Sequence, residues 1–281
     1  MSESSLDARL IALEPVGAGS EGRLRFTLQP HLCRPDGKLY GGTAVAATVA
    51  AMELVTGRPT LWAASQLVGA PMLDDVVEVL VEPLARGRYV DQLRVTASVD
   101  GWVAFAAVGS TATERADGLA GTGERMPRVT PPEDSPDRMG SSSAPRWGTE
   151  GGPGYSRVLQ TLTALPGDGE PPFSPGHLCM WARLIDETAT TAAKLGFLGD
   201  MVPIAACDAA GVKGAGTSLD NSLRVGRLVD SEWVLLDLHG SIAHGGYGYG
   251  VAHLWSSDGV LLGTASQTAR LFSFQSFFGS E

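Results

Sequence analysis

Residues 217–272 contain four runs of strand-forming sequence in succession. The runs are TSLDNSLRVGR (217–227), WVLLDL (233–238), GYGYGVAHLW (246–255) and VLLGTASQTARLF (260–272). Ser256-Ser257-Asp258-Gly259 separates the last two, and Asp-Gly between apolar runs is a strong signal for a hairpin. The stretch therefore predicts four antiparallel strands. Two polar residues, Ser218 near the start of the first run and Gln267 inside the last, become candidates for chemistry.

The rest of the chain predicts the same arrangement of elements twice. In the first half, alanine-rich residues 44–55 follow Gly41-Gly42-Thr43 and are apolar on almost every side, which predicts a buried helix. In the second half, residues 177–185 predict a strand and residues 186–197 a helix capped by Asp186. Four strand-like runs follow the first helix, at residues 61–68, 76–84, 89–99 and 102–113.

A helix followed by a run of strands, in two copies, predicts an α+β fold in which an antiparallel sheet wraps a helix twice. The segment between the halves is rich in proline and serine and poor in apolar residues, which is typical of an extended linker. We predict a first unit at residues 1–113, a linker at 114–146 and a second unit at 147–281. Residues 147–176 are interpreted as turn-rich.

Composition excludes several classes of protein. The net charge of −10 argues against nucleic acid or an anionic membrane surface as a partner. The three cysteines, Cys33, Cys179 and Cys207, are widely spaced and odd in number, which is typical of reduced thiols in a cytoplasmic protein. The polar first residues do not resemble a signal peptide, and the longest apolar stretch is too short to span a bilayer.

Familiar catalytic and metal motifs do not account for the candidates. Ser218 is not part of a nucleophile elbow, because the glycine that should follow it is Asp220. His239, His244 and His253 fall on neighbouring predicted strands, but no carboxylate is spaced with them as a ligand set, so we predict no metal site.

Asp200, Ser218 and Gln267 each have a simple structural interpretation. Asp200 could end a helix, Ser218 could begin a strand, and Gln267 could face solvent. Taken together they suggest a site for a water molecule, in which a carboxylate takes a proton while a hydroxyl and an amide hold the water.

The chain resembles the acyl-CoA thioesterase II family, the TesB-like proteins with a double hotdog fold. The resemblance is strongest over residues 177–272, where Trp181-Ala182-Arg183, Leu198-Gly199-Asp200, Ser218-Leu219-Asp220-Asn221-Ser222 and Ser266-Gln267 fall in the family's order and spacing. The first half matches more faintly, through Tyr40-Gly41-Gly42, the alanine-rich helix and Arg86-Gly87-Arg88.

The resemblance implies hydrolysis of acyl-CoA to a free acid and CoA, with no cofactor. Asp200 would be the general base, and Ser218 and Gln267 would orient the water. Backbone N–H groups near Gly42 and Thr43, at the start of the first helix, would stabilise the oxyanion. Arg86 and Arg88 would meet the CoA phosphates.

Two departures from the family keep alternatives open. The hydroxyl residue is serine rather than the commoner threonine, and Thr43 replaces a glutamine that often follows Gly-Gly. A non-catalytic hotdog protein that binds acyl thioesters is one alternative. A hotdog hydratase or dehydratase is less favoured, because no histidine is near Asp200 or on the first helix. The resemblance also implies a homodimer or larger homo-oligomer and a role in fatty acid metabolism.

Overall fold

A computed structural model describes residues 10–17, 22–138, 154–185 and 189–274. The first half consists of six strands and one long helix. They are β1 (Glu14–Pro15), β2 (Arg23–Thr27), α1 (Gly41–Thr56), β3 (Thr60–Leu67), β4 (Val76–Arg86), β5 (Val90–Val99) and β6 (Trp102–Ala112). The second half consists of β7 (Leu159–Ala164), β8 (His177–Leu184), α2 (Ala192–Leu198), α3 (Val202–Ala209), β9 (Gly214–Val225), β10 (Val234–His244), β11 (Tyr247–Ser256) and β12 (Leu261–Ser273).

All twelve strands belong to one antiparallel sheet. Its order is β1-β2-β4-β5-β6-β3-β9-β12-β11-β10-β8-β7. The order β2-β4-β5-β6-β3 in the first half corresponds, read from the other edge, to β8-β10-β11-β12-β9 in the second. In each half the strand that follows the helix pairs with the last strand of that half. The predicted α+β class and the double hotdog architecture are therefore confirmed.

The two halves meet where β3 pairs with β9. The shared register runs from Trp62 opposite Arg224 to Gln66 opposite Asp220. On one face of the sheet α1 packs against α2, where a Cβ placed on Gly196 would lie 2.8 Å from Cγ1 of Val45. Small residues at this crossing let the two helices approach closely, which explains why the α1 sequence is rich in alanine and glycine.

The second half differs from the prediction in three elements. The predicted helix at 186–197 begins only at Ala192, because Thr191 is the capping residue and accepts a hydrogen bond from the amide of Lys194 at 3.1 Å. Asp186, the predicted cap, lies outside the described residues. Helix α3 was not predicted; it has Pro203 in its first turn, where proline is tolerated. Strand β7 was missed in the stretch interpreted as turn-rich.

Part of the predicted linker packs on the face of the sheet opposite the helices. The indole nitrogen of Trp181 donates to the carbonyl oxygen of Thr130 at 2.8 Å, and Val129 forms an isolated bridge with Pro166. Residues 113–125, by contrast, are exposed. The predicted domain boundaries stay a prediction. Within the described part of the chain, no helix is long and apolar enough to cross a membrane.

Candidate active site

Asp200 lies in the break between α2 and α3, and four groups donate hydrogen bonds to its carboxylate. Only 8% of the residue is exposed. Oδ1 accepts from the Ser218 hydroxyl and from the Asn221 amide, each at 3.0 Å, and also from the Gln267 amide. Oδ2 accepts from the backbone N–H of Gly42 at 2.9 Å. The three side chains expected to form a water site therefore converge.

A β-bulge in β9 brings Ser218 and Asn221 to the same carboxylate. In the pairing with β12, Asp220 is opposite Thr268 and Ser218 is opposite Ala269, so Leu219 is an extra residue. Side chains of a regular strand alternate between faces, and residues three apart would point to opposite sides. The inserted residue removes this alternation locally, as bulges near functional sites often do. The Asp220 carboxylate completes the bulge by accepting from the Thr268 amide at 2.7 Å.

Gln267 is a polar residue at an inward-facing position of β12. Its neighbours on that face, Ala265 and Ala269, are buried, and Gln267 itself is 1% exposed. Its Nε2 donates both to Asp200 and to the Ser218 hydroxyl. Among the described residues, nothing donates to its buried Oε1. A buried amide oxygen without a donor is costly, so this atom is a natural acceptor for a water molecule or substrate.

The start of α1 closes the site from the first half of the chain. A Cβ on Gly41 would lie 2.6 Å from Asp200 Oδ2 and 2.9 Å from the Ser218 hydroxyl oxygen, and one on Gly42 would lie 2.4 Å from the Phe197 carbonyl oxygen. Glycine is therefore required at both positions. The helix start also directs its positive end at the carboxylate, which favours an anion there.

Tyr40 joins this helix start to the backbone around Asp200. Its hydroxyl donates to the carbonyl oxygens of Phe197 at 3.2 Å and Asp200 at 3.3 Å. Burial, with a smaller contribution from the Asp200 charge, raises the pKa of Tyr40 well above its ordinary value. The phenol therefore stays protonated and keeps its donor, which holds the Asp200 backbone against α1.

The protonation of Asp200 is set by burial working against its hydrogen bonds. Burial raises the pKa, while the bonds from Ser218, Asn221, Gly42 and Gln267 lower it, and the result is a pKa of about 6 instead of 3.8. A carboxylate with this pKa is mostly ionised at neutral pH and is still a stronger base than an ordinary aspartate. These are the properties expected of a general base.

A cavity of about 390 Å³ opens beside the carboxylate. Both halves line it: Tyr40, Gly41 and Leu67 from the first, and Tyr155, Asp200 and Ser218 from the second. Most of its wall is apolar. A polar cluster at the wall of an apolar cavity is the usual form of a small-molecule site.

The other predicted site residues take different positions. The amide of Thr43 donates to the carbonyl oxygen of Tyr40 and its hydroxyl donates to the carbonyl oxygen of Leu32, so both groups already have partners, and Thr43 does not line the cavity. Arg86 and Arg88 lie at the β4–β5 hairpin and do not line the cavity.

The sheet register shows how far these arginines are from the cavity. Arg86 is opposite Asp91, which is opposite Thr111, which is opposite Thr60 at the start of β3. The cavity is beside Leu67 at the other end of that strand, roughly 23 Å away at the rise of a β-strand.

Two residues of the site were missed from the sequence. Asn221 lay within a quoted string but received no role, and regular alternation would place it on the other face from Ser218. Gly41 was read only as part of the helix start. Two consecutive glycines before an apolar helix could have signalled close approach of another group, since capping alone does not require both.

One antiparallel sheet made of two similar halves, each packed against helical residues, is the architecture of a double hotdog protein. The chain matches the model of the acyl-CoA thioesterase N-terminal domain over residues 30–112 and that of the acyl-CoA thioesterase C-terminal domain over residues 130–271. The protein therefore belongs to the acyl-CoA thioesterase family. No curated protein matches the chain.

Solved structures with this architecture include several thioesterases. A candidate thioesterase from Novosphingobium aromaticivorans is 28% identical, with a TM-score of 0.80 over 92% of this chain and 98% of that chain. The tesB protein of Mycobacterium avium subs paratuberculosis is 21% identical, with a TM-score of 0.71 over 93% and 95% of the two chains. The acyl-CoA thioesterase II TesB2 of Mycobacterium marinum is 18% identical, with a TM-score of 0.68 over 93% and 96%. The last two likenesses concern the fold alone.

Proposed function

We propose that the protein hydrolyses acyl-CoA thioesters to a carboxylic acid and CoA, using a water molecule activated by Asp200. One observation carries the proposal: Asp200 and Ser218 line an apolar cavity, and Gln267, buried beside them, donates hydrogen bonds to both. Membership of the acyl-CoA thioesterase family supports the same reaction class.

The attacking water is proposed to bind where these three side chains meet, replacing one of their direct contacts. It would donate one hydrogen to Asp200 and the other to the unpaired Oε1 of Gln267, and accept from Ser218. The water oxygen then keeps one lone pair, which attacks the thioester carbonyl carbon. As the C–O bond forms, Asp200 takes the proton, and the pKa of about 6 suits this transfer near neutral pH.

The oxyanion is proposed to bind at the start of α1. The N–H of Gly41 is one of the donors that a helix leaves without an internal partner, and Gly41 lines the cavity. The N–H of Gly42 beside it already holds Asp200. We therefore assign to Gly41 most of the oxyanion-binding role that the sequence predicted for Gly42 and Thr43. When the tetrahedral intermediate collapses, the C–S bond breaks and the CoA sulfur takes the proton from Asp200.

The acyl chain is proposed to occupy the apolar cavity, with the CoA at its mouth. Arg34 and Arg138 line the cavity and are the cations placed to meet a phosphate. If so, Arg34→Ala should raise KM for acyl-CoA several-fold with little change in kcat. The double substitution Arg86→Ala and Arg88→Ala, at the distant hairpin, should leave KM unchanged. An unchanged KM in Arg34→Ala together with a raised KM in the double variant would instead support the prediction that Arg86 and Arg88 meet the CoA phosphates.

The decisive experiment measures thiol release from a panel of acyl-CoAs of increasing chain length. Wild type should release thiol, and Asp200→Ala should lower kcat by roughly a thousandfold, the contribution expected of a general base. Asp117→Ala, an exposed aspartate outside the cavity, is the matched control and should retain full activity. Thiol release that persists in Asp200→Ala would contradict the mechanism.

The same panel separates the alternative functions. Tight binding of acyl-CoA without thiol release would indicate a non-catalytic binding protein. Hydration of an enoyl-CoA without thiol release would indicate a hydratase. The latter would need another acid or base, because none of the histidines, all of which lie in the described residues, lines the cavity.

A further inference from the structure

A second cluster of ionisable side chains lies in β8, β10 and β11, around Asp237. In the sheet register Asp237 is opposite Cys179 on one side and His253 on the other, and His239 is opposite His177. Residues two apart on a strand share a face, so all five side chains lie on the same face of the sheet. This cluster is not visible in the sequence, because only the pairing of strands joins Asp237 to His177 and His253.

The atoms that could bind a metal in this cluster are close together. Asp237 Oδ1 is 2.8 Å from Nε2 of His177 and 2.9 Å from Nε2 of His239. Nδ1 of His253 is 3.6 Å from Asp237 Oδ2. The Cys179 sulfur is 3.7 Å from both His177 Nε2 and Asp237 Oδ1. Two imidazole nitrogens and a carboxylate within 4.8 Å of one another match the donor types of a zinc site.

This cluster is separate from the thioester site. Leu236 and Leu238, which alternate with Asp237 and His239, point into the core on the helix side of the sheet. Cys179 and Leu235, on the other face, belong to a different apolar cluster. The sheet therefore lies between the histidine cluster and Asp200. A metal bound there would touch no group proposed to act on the thioester.

We propose that His177, Asp237 and His239 form a binding site for a divalent transition-metal ion of the zinc class. Tetrahedral zinc with bonds of about 2.0–2.1 Å separates its ligand atoms by about 3.3 Å. The His–Asp pairs are within half an ångström of this spacing, so small side-chain rotations suffice.

The surroundings leave the cluster accessible to an ion. The His239 side chain is 38% exposed, which gives an ion a path from solvent. His253 contacts the second carboxylate oxygen and would orient it.

The test is a zinc titration of untagged, chelator-treated protein, read by competition with a chromogenic chelator. We expect one zinc ion per chain. His177→Ala and His239→Ala should each weaken zinc binding by roughly a hundredfold or more. Loss of a residue that only orients a metal ligand costs about 10- to 100-fold in affinity, and loss of the ligand itself should cost more. His244→Ala, which removes an exposed histidine at the far end of the same strand, is the matched control and should bind as wild type does.

A second measurement guards against misfolded variants. His239→Gln keeps an N–H donor to Asp237 but is a poor zinc ligand, and its far-ultraviolet circular dichroism should match wild type. Zinc should raise the unfolding temperature of wild type and not of His239→Gln, because ions bound only to the folded state stabilise it. No bound zinc, or equal affinity in wild type and His239→Gln, would overturn the proposal. Thioester hydrolysis enters neither readout, so its outcome is independent.

Discussion

The carboxylate of Asp200 accepts a hydrogen bond at 2.9 Å from the backbone amide of Gly42, although the two residues are 158 positions apart. Gly42 belongs to the first turn of α1 in the first half of the chain. Asp200 follows α2 in the second half of the chain. Ser218, Asn221 and Gln267 also belong to that half. Neither half holds a complete site, so the proposed chemistry requires both.

A methyl group at Gly41 should lower the activity strongly without unfolding the protein. In Gly41→Ala the added carbon would meet the Asp200 carboxylate at 2.6 Å and the Ser218 hydroxyl at 2.9 Å, which forces the base and the water site apart. We expect kcat/KM for thiol release to fall by roughly a hundredfold or more, as for an ångström-scale misplacement. The control is Gly121→Ala, whose added carbon meets nothing within 4 Å. Comparable activity in the two variants would refute the crowding argument.

The activity should depend on pH through Asp200. Because the general base must be ionised and its pKa is about 6, kcat/KM should rise as the pH increases through about 6 and then level off. The residual rate of Asp200→Asn should not show this step. A wild-type profile that is flat between pH 5 and 7 would exclude Asp200 as the base.

Asn221 should act on the reaction through the pKa of Asp200. Its amide donates to Oδ1 and stabilises the anion, so Asn221→Ala should raise the pKa of Asp200. A bond to a charged group is worth enough to move the midpoint of the kcat/KM profile upward by about one pH unit. A loss of packing alone would lower the rate without moving the midpoint. Ser222→Ala, which removes a hydroxyl paired with Ser266, is the control and should keep the wild-type midpoint.

The buried carboxylate should also cost stability at neutral pH. The pKa of Asp200 is higher in the folded protein, about 6, than its ordinary 3.8, so the folded state holds the proton more tightly. The contribution of the Asp200 proton to the free energy of unfolding is therefore fully present below pH 3.8 and is lost as the pH rises through 6. The loss is about 3 kcal/mol. The free energy of unfolding of wild type and of Asp200→Asn should be measured with denaturant across this pH range. The difference between the two free energies should change by about 3 kcal/mol. A constant difference would contradict the raised pKa.

The elements with strong local signals could be predicted from the sequence. The alanine-rich helix, the hairpins and the four strands of residues 217–272 follow from composition and turn residues alone. Ser218 and Gln267 stood out because they are polar residues in strand-forming runs. Asp200 gained its significance only in combination with them and with the family's spacing.

The missed features depend on contacts between distant parts of the chain. The bulge at Leu219 changes which face Asn221 occupies, and a strand pattern that assumes regular alternation cannot show it. The cluster around Asp237 exists because β8, β10 and β11 are neighbours in a particular register. The register of β3, β4, β5 and β6 places Arg86 and Arg88 at the end of the sheet away from the cavity, which their sequence motif could not show.

The pairing of β3 with β9 has a consequence for a chain that is cut between its halves. Residues 113–125 are exposed and contain Arg115 and Arg125, so trypsin should cleave there. The two fragments should remain associated, because strand pairing at the joint and the α1–α2 contact hold them together without a peptide link. We expect them to elute as one species in gel filtration and to keep releasing thiol. Separately expressed fragments that never regain activity when mixed would mean that the covalent connection itself assembles the site.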